Sequence, residues 1–272
     1  MPHRRDKLKN TAFSIYRWRV VLICLALSLS HPVLSQPLRL AVASNFIAPM
    51  TLIAQQFEQT SGHQVTLAFA SSAKLYAQIQ HGAPYDAFLS ADTAKPHKLI
   101  EAGLARADSF RIYAQGILAL WSATPLETQS YDQLFTKSKR IAIANPKLAP
   151  YGLAAQQSLE SLNLWETVQN KLVQGENIGQ AFQFTYSQNA RLGLVALSQV
   201  LAYQAQIHLS DQEAGKQFML IPANLHAPIE QAAVSLLKSP NQDTAKEFLA
   251  FLNSPDIQAL IAEFGYLSVS SS

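Results

Sequence analysis

A change of period at Ser71 and Ser72 constrains this chain more than any other feature. Val65, Leu67 and Phe69 alternate with Thr66, Ala68 and Ala70, the two-residue repeat of a strand. Leu75 and Ile79 then stand four apart, Ala and Gln fill between them, and Gly82 ends the run, which is the repeat of a helix. A serine at that switch can cap the helix with its hydroxyl. It also sits beside unpaired N–H groups at the positive end of the helix dipole, a setting that suits an anion. A single such serine is most simply a cap with no ligand. The device, however, occurs twice. Leu38, Leu40 and Val42 alternate with Arg39, Ala41 and Ala43, Ser44 and Asn45 follow, and Met50, Ile53, Ala54 and Phe57 continue at helical spacing with Pro49 in the first turn. Two strand–serine–helix units point to parallel strands whose carboxyl ends share one edge, where ligands bind in open α/β sheets.

The alternation continues along the chain. Residues 85–92 form a short apolar strand ending in polar residues, and Asp92 is placed to cap a helix over 94–101 that Gly103 terminates. Residues 117–121 and 140–144 are strand-like, and 145–152 is a loop feeding a helix over 153–162, a third strand–loop–helix unit. Residues 176–180 lead into a helix over 181–187. Strand-like runs follow at 193–197, 219–222 and 232–237, then helices over 241–253 and 255–264. This pattern predicts an α/β chain with mostly parallel sheet. The candidate anion loops fall in two groups well separated in sequence, which predicts two lobes. At 272 residues the chain is long enough for that.

The N-terminus reads as an address. Six basic residues precede the apolar run 20–29, and Val33 and Ser35 occupy the small-residue positions of a cleavage site before Gln36. The run is too short to span a bilayer. Export with cleavage near Ser35 and Gln36 is expected. The only cysteine, Cys24, leaves with this segment, so no disulfide is expected in the mature chain. Six bases and one acid also leave, so the 21 basic and 18 acidic residues become 15 and 17, a net charge of −2. The basicity of the full chain therefore belongs to the leader, and nucleic-acid binding is not expected.

Other constellations point less strongly to chemistry. The mature histidines, His63, His81, His97, His208 and His226, lack metal-ligand spacing. No nucleophile elbow, P-loop or dinucleotide fingerprint is present. Asp86 and Asp92, six apart, are more simply cap and brace than a catalytic carboxylate pair. Tyr186 reads as a packing residue with the reach to enter a cleft, Lys74 as a solvated helix residue, and Trp121 and Trp165 as core or lobe-surface residues.

Taken in order and spacing, several segments resemble the periplasmic molybdate-binding (ModA) family of molybdenum ABC transporters. They are Ala43-Ser44-Asn45, Phe69-Ala70-Ser71-Ser72, the run from Asp86 to Asp92, the run from Asn145 to Gly152, Gly175 to Gln180, and Leu192 to Leu197. The resemblance covers nearly all of the mature chain. It implies the two-lobed periplasmic-binding-protein fold (type II) with the ligand cleft between lobes. The first lobe would comprise 36–116 with 225–272, the second 117–224, and 1–35 would be the leader. It implies capture of molybdate, or tungstate, without turnover and without a cofactor, and delivery to a membrane permease by a monomeric periplasmic protein. Carried onto this sequence, Asn45 and Ser72 with the backbone of Ser44 are the first-lobe ligands, and Tyr151 and Ile178 offer backbone N–H groups from the second. Some members carry a tyrosine hydroxyl where this chain has Ala196, and some carry serine where it has Asn45; the two amide donors of Asn45 are expected to compensate.

The chemistry agrees with that resemblance. Molybdate is a tetrahedral dianion at neutral pH, and neutral donors can hold it where several helix N-termini converge. A site made only of donors rejects protonated phosphate, and its size discriminates against smaller sulfate. Two alternatives stay open: a binding protein for another oxyanion, an organic anion or a metal, and an exported hydrolase using Ser72 or Asp86, which would need a general base near the serine.

Overall fold

The computed structural model describes residues 36–126 and 130–268. The expected leader lies outside them. Among the described residues ten strands form two sheets. The first contains β1 (Leu38–Ala43), β2 (Val65–Ala70), β3 (Ala87–Ser90), β4 (Arg111–Gly116) and β10 (Ile229–Ser235), in the order β2-β1-β3-β10-β4. The second contains β5 (Leu118–Trp121), β6 (Ile141–Ala144), β7 (Leu172–Gly175), β8 (Leu192–Ala196) and β9 (Phe218–Leu220), in the order β7-β6-β8-β5-β9. The chain leaves the first sheet at Gly116 and enters the second at Leu118, and it returns between β9 and β10.

The helices are α1 (Ile47–Ser61), α2 (Ser72–Gln80), α3 (Ala94–Glu101), α4 (Tyr131–Lys137), α5 (Pro150–Ser161), α6 (Trp165–Val168), α7 (Ile178–Tyr186), α8 (Leu197–Gln206), α9 (Asp211–Ala214), α10 (Gln242–Leu252) and α11 (Pro255–Glu263). Short 3-10 turns join them, of which Ser44–Phe46 matters most here.

The α/β class and the strand–serine–helix units are as the sequence predicts. The sheets themselves are mixed. In each, two pairings are parallel and two antiparallel. The parallel pairings are those of the βα units. The antiparallel ones arise where β10 inserts between β3 and β4, and β5 between β8 and β9. Local periodicity reveals the βα units but not the slot into which a returning strand fits.

Alternation along β1 sets the core of the first half. Leu38, Leu40 and Val42 face Met50, Ile53 and Phe57 of α1 and Phe248, Leu252, Ile257 and Ile261 of the two C-terminal helices. Ala41 faces the other way, with Phe88, Leu75, Ile79 and Leu99. In the second half Leu118, Leu120, Ile141, Ile143, Leu192 and Leu194 pack on α5, while Trp121 faces the opposite side and stacks on Phe182 at 4.5 Å.

The helix expected from 153 begins three residues earlier, with Pro150 in its first turn. Gly152 makes this possible. A Cβ there would lie 2.3 Å from the carbonyl oxygen of Ala144, so only glycine lets α5 start this close to the end of β6. The segment 111–116 was not distinguishable as a strand by its pattern, and α8 follows β8 with no polar cap residue to announce it.

Candidate functional site

The ends of two sheets supply the site. On the first, Ala43 pairs with Ala70 in parallel register, so the chain leaves β1 at Ser44 and β2 at Ser71 side by side. On the second, Ala144 pairs with Gly175, which brings the starts of α5 and α7 to one edge. The two edges meet. The Ala73 N–H donates to the Leu148 carbonyl at 3.1 Å, Lys74 Nζ lies 2.7 Å from Glu176 Oε1, and a methyl group built on Gly179 would lie 3.7 Å from Ser44 Cβ. The starts of the 3-10 turn, α2, α5 and α7 are thereby gathered in one place.

Each predicted residue stands in the first turn of one of these segments, and all are buried: Ser44, Asn45, Ser72, Tyr151 and Ile178 are 5% exposed or less. A helix leaves its first N–H groups without intrahelical acceptors. Two caps satisfy the third residue in. Ser71 Oγ accepts from Lys74 N–H at 3.4 Å, and Asn177 Oδ1 accepts from Gln180 N–H at 3.0 Å. They leave the first N–H of each helix, at Ser72 and at Ile178, open, while the second in α2, at Ala73, is taken by the Leu148 carbonyl. Among the described residues, no protein group accepts from the backbone N–H of Ser44, Asn45, Ser72, Tyr151 or Ile178. Ser72 Oγ accepts from Ala91 N–H at 3.0 Å, which leaves its own hydrogen to donate. Ser44, Asn45 and Gly179 also border a groove of about 390 Å³, with Tyr186, Ser198 and Tyr203 on its wall.

The Asn45 amide is not among the free donors. Its nitrogen donates to Gln231 Oε1 at 2.8 Å and to the Tyr266 hydroxyl at 3.0 Å. The expectation that this amide compensates for the absent tyrosine at Ala196 is therefore corrected. What Asn45 has to offer is its main-chain N–H. Ala196 itself is fully buried at the end of β8.

Behind the donors lies a polar cluster that the sequence did not announce. Tyr113 donates to Gln231 Oε1 at 3.2 Å, and Gln231 Nε2 lies 3.5 Å from the Tyr151 hydroxyl. These residues come from β4, β10, α5 and the segment after α11, so no local spacing links them. The one sequence signal is Gln231 itself, a polar residue at an otherwise apolar strand position. Burial raises the pKa of all three phenols, Tyr113 and Tyr151 well above the ordinary value, and Tyr266, relieved by its hydrogen bonds to Ser198 and Asn45, to about 12. A raised phenol pKa means the folded state prefers the neutral form. Its contribution is fully present below pH 10, where the phenol of the unfolded chain ionises, and is lost as pH rises through the folded value. Melting temperature is therefore expected to fall between about pH 10 and pH 12, with roughly 2–3 kcal/mol lost through Tyr266. Tyr266→Phe is expected to flatten that slope; an identical slope in the variant contradicts the assignment.

Asp86 and Asp92 are both committed to structural partners. Asp86 accepts from Arg39 N–H at 2.6 Å, Ser239 Oγ at 2.5 Å and Asn241 Nδ2 at 3.2 Å, so it is a brace. Asp92 accepts from Lys95 N–H at 2.9 Å and pairs with Lys95 Nζ. Among the described residues no histidine or lysine hydrogen-bonds Ser72, and no three His, Cys, Asp or Glu residues cluster as metal ligands. Lys74, expected to be solvated, is half-exposed and paired with Glu176. Tyr186 is half-exposed and packs edge-on against Tyr203.

Residues 38–267 match the family model of bacterial extracellular solute-binding proteins. The molybdate-binding protein ModA of Azotobacter vinelandii is 42% identical over 84% of this chain and 88% of its own length. ModA of Rhodobacter capsulatus is 38% identical over 90% of this chain and 94% of its own. The chain belongs to the ModA family. Among solved structures, the periplasmic molybdate-binding protein of A. vinelandii superposes with a TM-score of 0.78 at 35% identity, covering 86% of this chain and all of that one. The matched residues 38–267 run from the first residue of β1 to one residue past Tyr266, so every candidate donor and the cluster behind them lie within the part that matches the solute-binding family model. The relatives are solute-binding proteins by name, which leaves no support for the hydrolase alternative.

Proposed function

We propose that this protein captures molybdate, and tungstate by the same chemistry, in the periplasm and passes it to the membrane permease of an ABC transporter. The observation that carries this reading is the set of buried, unpaired backbone N–H groups at Ser44, Asn45, Ser72, Tyr151 and Ile178, gathered from two sheet edges. With the Ser72 hydroxyl, whose oxygen already accepts from Ala91 N–H, they form a shell of donors. Five to seven bonds to a dianion, each worth roughly 1.5–3 kcal/mol net, less the cost of dehydrating it, reach the −8 to −12 kcal/mol or so of micromolar to nanomolar binding. No countercharge is required, because the helix dipoles supply partial positive charge.

The two sheets are the cores of two lobes in this reading, 36–116 with 225–272 and 117–224. The lobes close on the anion and the permease recognises the closed form. The leader is removed near Ser35 and Gln36, and the mature protein works as a monomer.

Ile178→Pro tests the donor set. Proline is well suited to the first position of a helix, and Asn177 before it already has the extended backbone that a following proline requires. The change removes one N–H and trims a buried side chain. Molybdate affinity is expected to fall about 10- to 100-fold relative to Ile178→Val, which keeps the N–H. Equal affinities in the two variants, measured by calorimetry, would remove Ile178 from the site.

A further inference from the structure

Asn45 is held by more than its own half of the molecule. Its carbonyl oxygen accepts from Ser198 Oγ at 3.0 Å and from the Tyr266 hydroxyl at 2.9 Å, and the two hydroxyls lie 3.0 Å apart. The Asn45 amide in turn donates to Tyr266. With one hydrogen on each hydroxyl, a closed ring can be drawn: Asn45 amide to Tyr266, Tyr266 to Ser198, Ser198 to the Asn45 carbonyl. Tyr266 and Ser198 then each accept once and donate once, between the Asn45 side-chain amide and the Asn45 main-chain carbonyl, and hydroxyls linked in this way reinforce one another. All three residues are buried. Tyr266 and Asn45 pack with the first sheet, whereas Ser198 stands in the first turn of α8, which follows β8 of the second. The next residue, Gln199, donates to the Ile178 carbonyl at 3.3 Å. The first turn of α8 therefore grips the carbonyls of two proposed donor residues, one in each half.

We propose that the Asn45–Tyr266–Ser198 ring is a latch of the closed state, in which Ser198 fastens the second half onto the main chain of an anion-contacting residue and so sets how long the anion is held. This rests on the oxyanion-binding function proposed above. The latch touches no ligand atom. It cannot form when the halves separate, because Ser198 and Asn45 then part. Its loss should therefore appear in release of the anion rather than in capture. It should leave the ligand-free protein unharmed, since the Ser198 hydroxyl has water for a partner there.

The experiment measures association and release of ⁹⁹Mo-labelled molybdate for the wild type, Ser198→Ala, Tyr266→Phe and the double variant, with the melting temperature of each in the absence of ligand. The release rate is expected to rise about tenfold in each single variant. It should rise little further in the double variant, because one ring is broken in all of them. The association rate should stay within about twofold, and the ligand-free melting temperature of Ser198→Ala should match the wild type. A wild-type protein that holds molybdate, together with a Ser198→Ala release rate within twofold of it, overturns the latch alone. So does a fall in the ligand-free melting temperature of Ser198→Ala that accounts for its loss of affinity, since that marks an ordinary structural serine. A wild-type protein that holds no molybdate overturns the oxyanion function, and the latch with it.

Discussion

Gly179→Val is expected to abolish tight molybdate binding at a small cost to the stability of the ligand-free protein, where the new Cβ crowds the Asn177 cap. Gly179 is the second residue of α7 and stands where the two halves come closest. A Cβ at this position would lie 3.1 Å from Asn177 Oδ1, 3.7 Å from Ser44 Cβ and 4.0 Å from Ile47 Cδ1. Valine adds two methyl groups beyond that Cβ, and its side chain is nearly fixed in one rotamer in a helix, so it has little freedom to swing into the neighbouring groove. The halves would be wedged apart. The anion would then keep donors from only one of them, either Ser44, Asn45 and Ser72 or Tyr151 and Ile178. Losing two donors to a dianion at roughly 1.5–3 kcal/mol each predicts a drop of about 10²- to 10⁴-fold in affinity. The Gly179 backbone is helical, so the substitution introduces no backbone strain. Calorimetry gives the affinity and thermal melting the stability. Affinity within threefold of the wild type would show that binding does not require the halves to meet at Gly179.

Asn45→Ala is expected to act on the fold as well as on the site. The side chain is 2% exposed and both its amide hydrogens are used, on Gln231 and Tyr266. Alanine leaves Gln231 Oε1 with Tyr113 alone, deprives the Tyr266 hydroxyl of its donor and opens a small void. A buried polar group that loses its partner costs about 1–3 kcal/mol, and two such losses with the void come to about 2–4 kcal/mol. For a chain of this size that corresponds to a fall in melting temperature of roughly 5–15 °C. The main-chain N–H remains, so affinity should fall less than in Gly179→Val. A melting temperature within 2 °C of the wild type would mean that the amide is not committed to the cluster and is free for the ligand.

Much of the site was legible because its parts are local. A strand ending in Ser44 or in Ser71 and Ser72, followed at once by helical spacing, is enough to place free N–H groups at a sheet edge. The capping role of Ser71 and the core face of Met50, Ile53, Ala54 and Phe57 follow from the same spacing. What could not be read depends on residues distant in sequence. Gln231 lies 186 residues from Asn45 and Tyr266 lies 221 away, and only the sheet order brings them together. Asn45 is the instructive case. Its presence after β1 marks the candidate site, but the fate of its amide is decided by β10 and by the segment after α11. The mixed sheets have the same origin, since the slots of β5 and β10 are set by the return of the chain and not by any local repeat. Lys74 also looked like a solvated charge until α7 brought Glu176 to it. An exposed pair of this kind is worth little energy, about 0–1 kcal/mol.

The most direct measurement of the central claim is calorimetric titration of residues 36–272 with molybdate, tungstate, sulfate and phosphate in turn. A shell of converging N–H and hydroxyl donors predicts tight one-to-one binding of molybdate and tungstate, with weak binding of the smaller sulfate and rejection of protonated phosphate. Phosphate binding as tight as molybdate would require an acceptor in the site and would contradict a shell of donors, and binding of none of the four would contradict the oxyanion function itself.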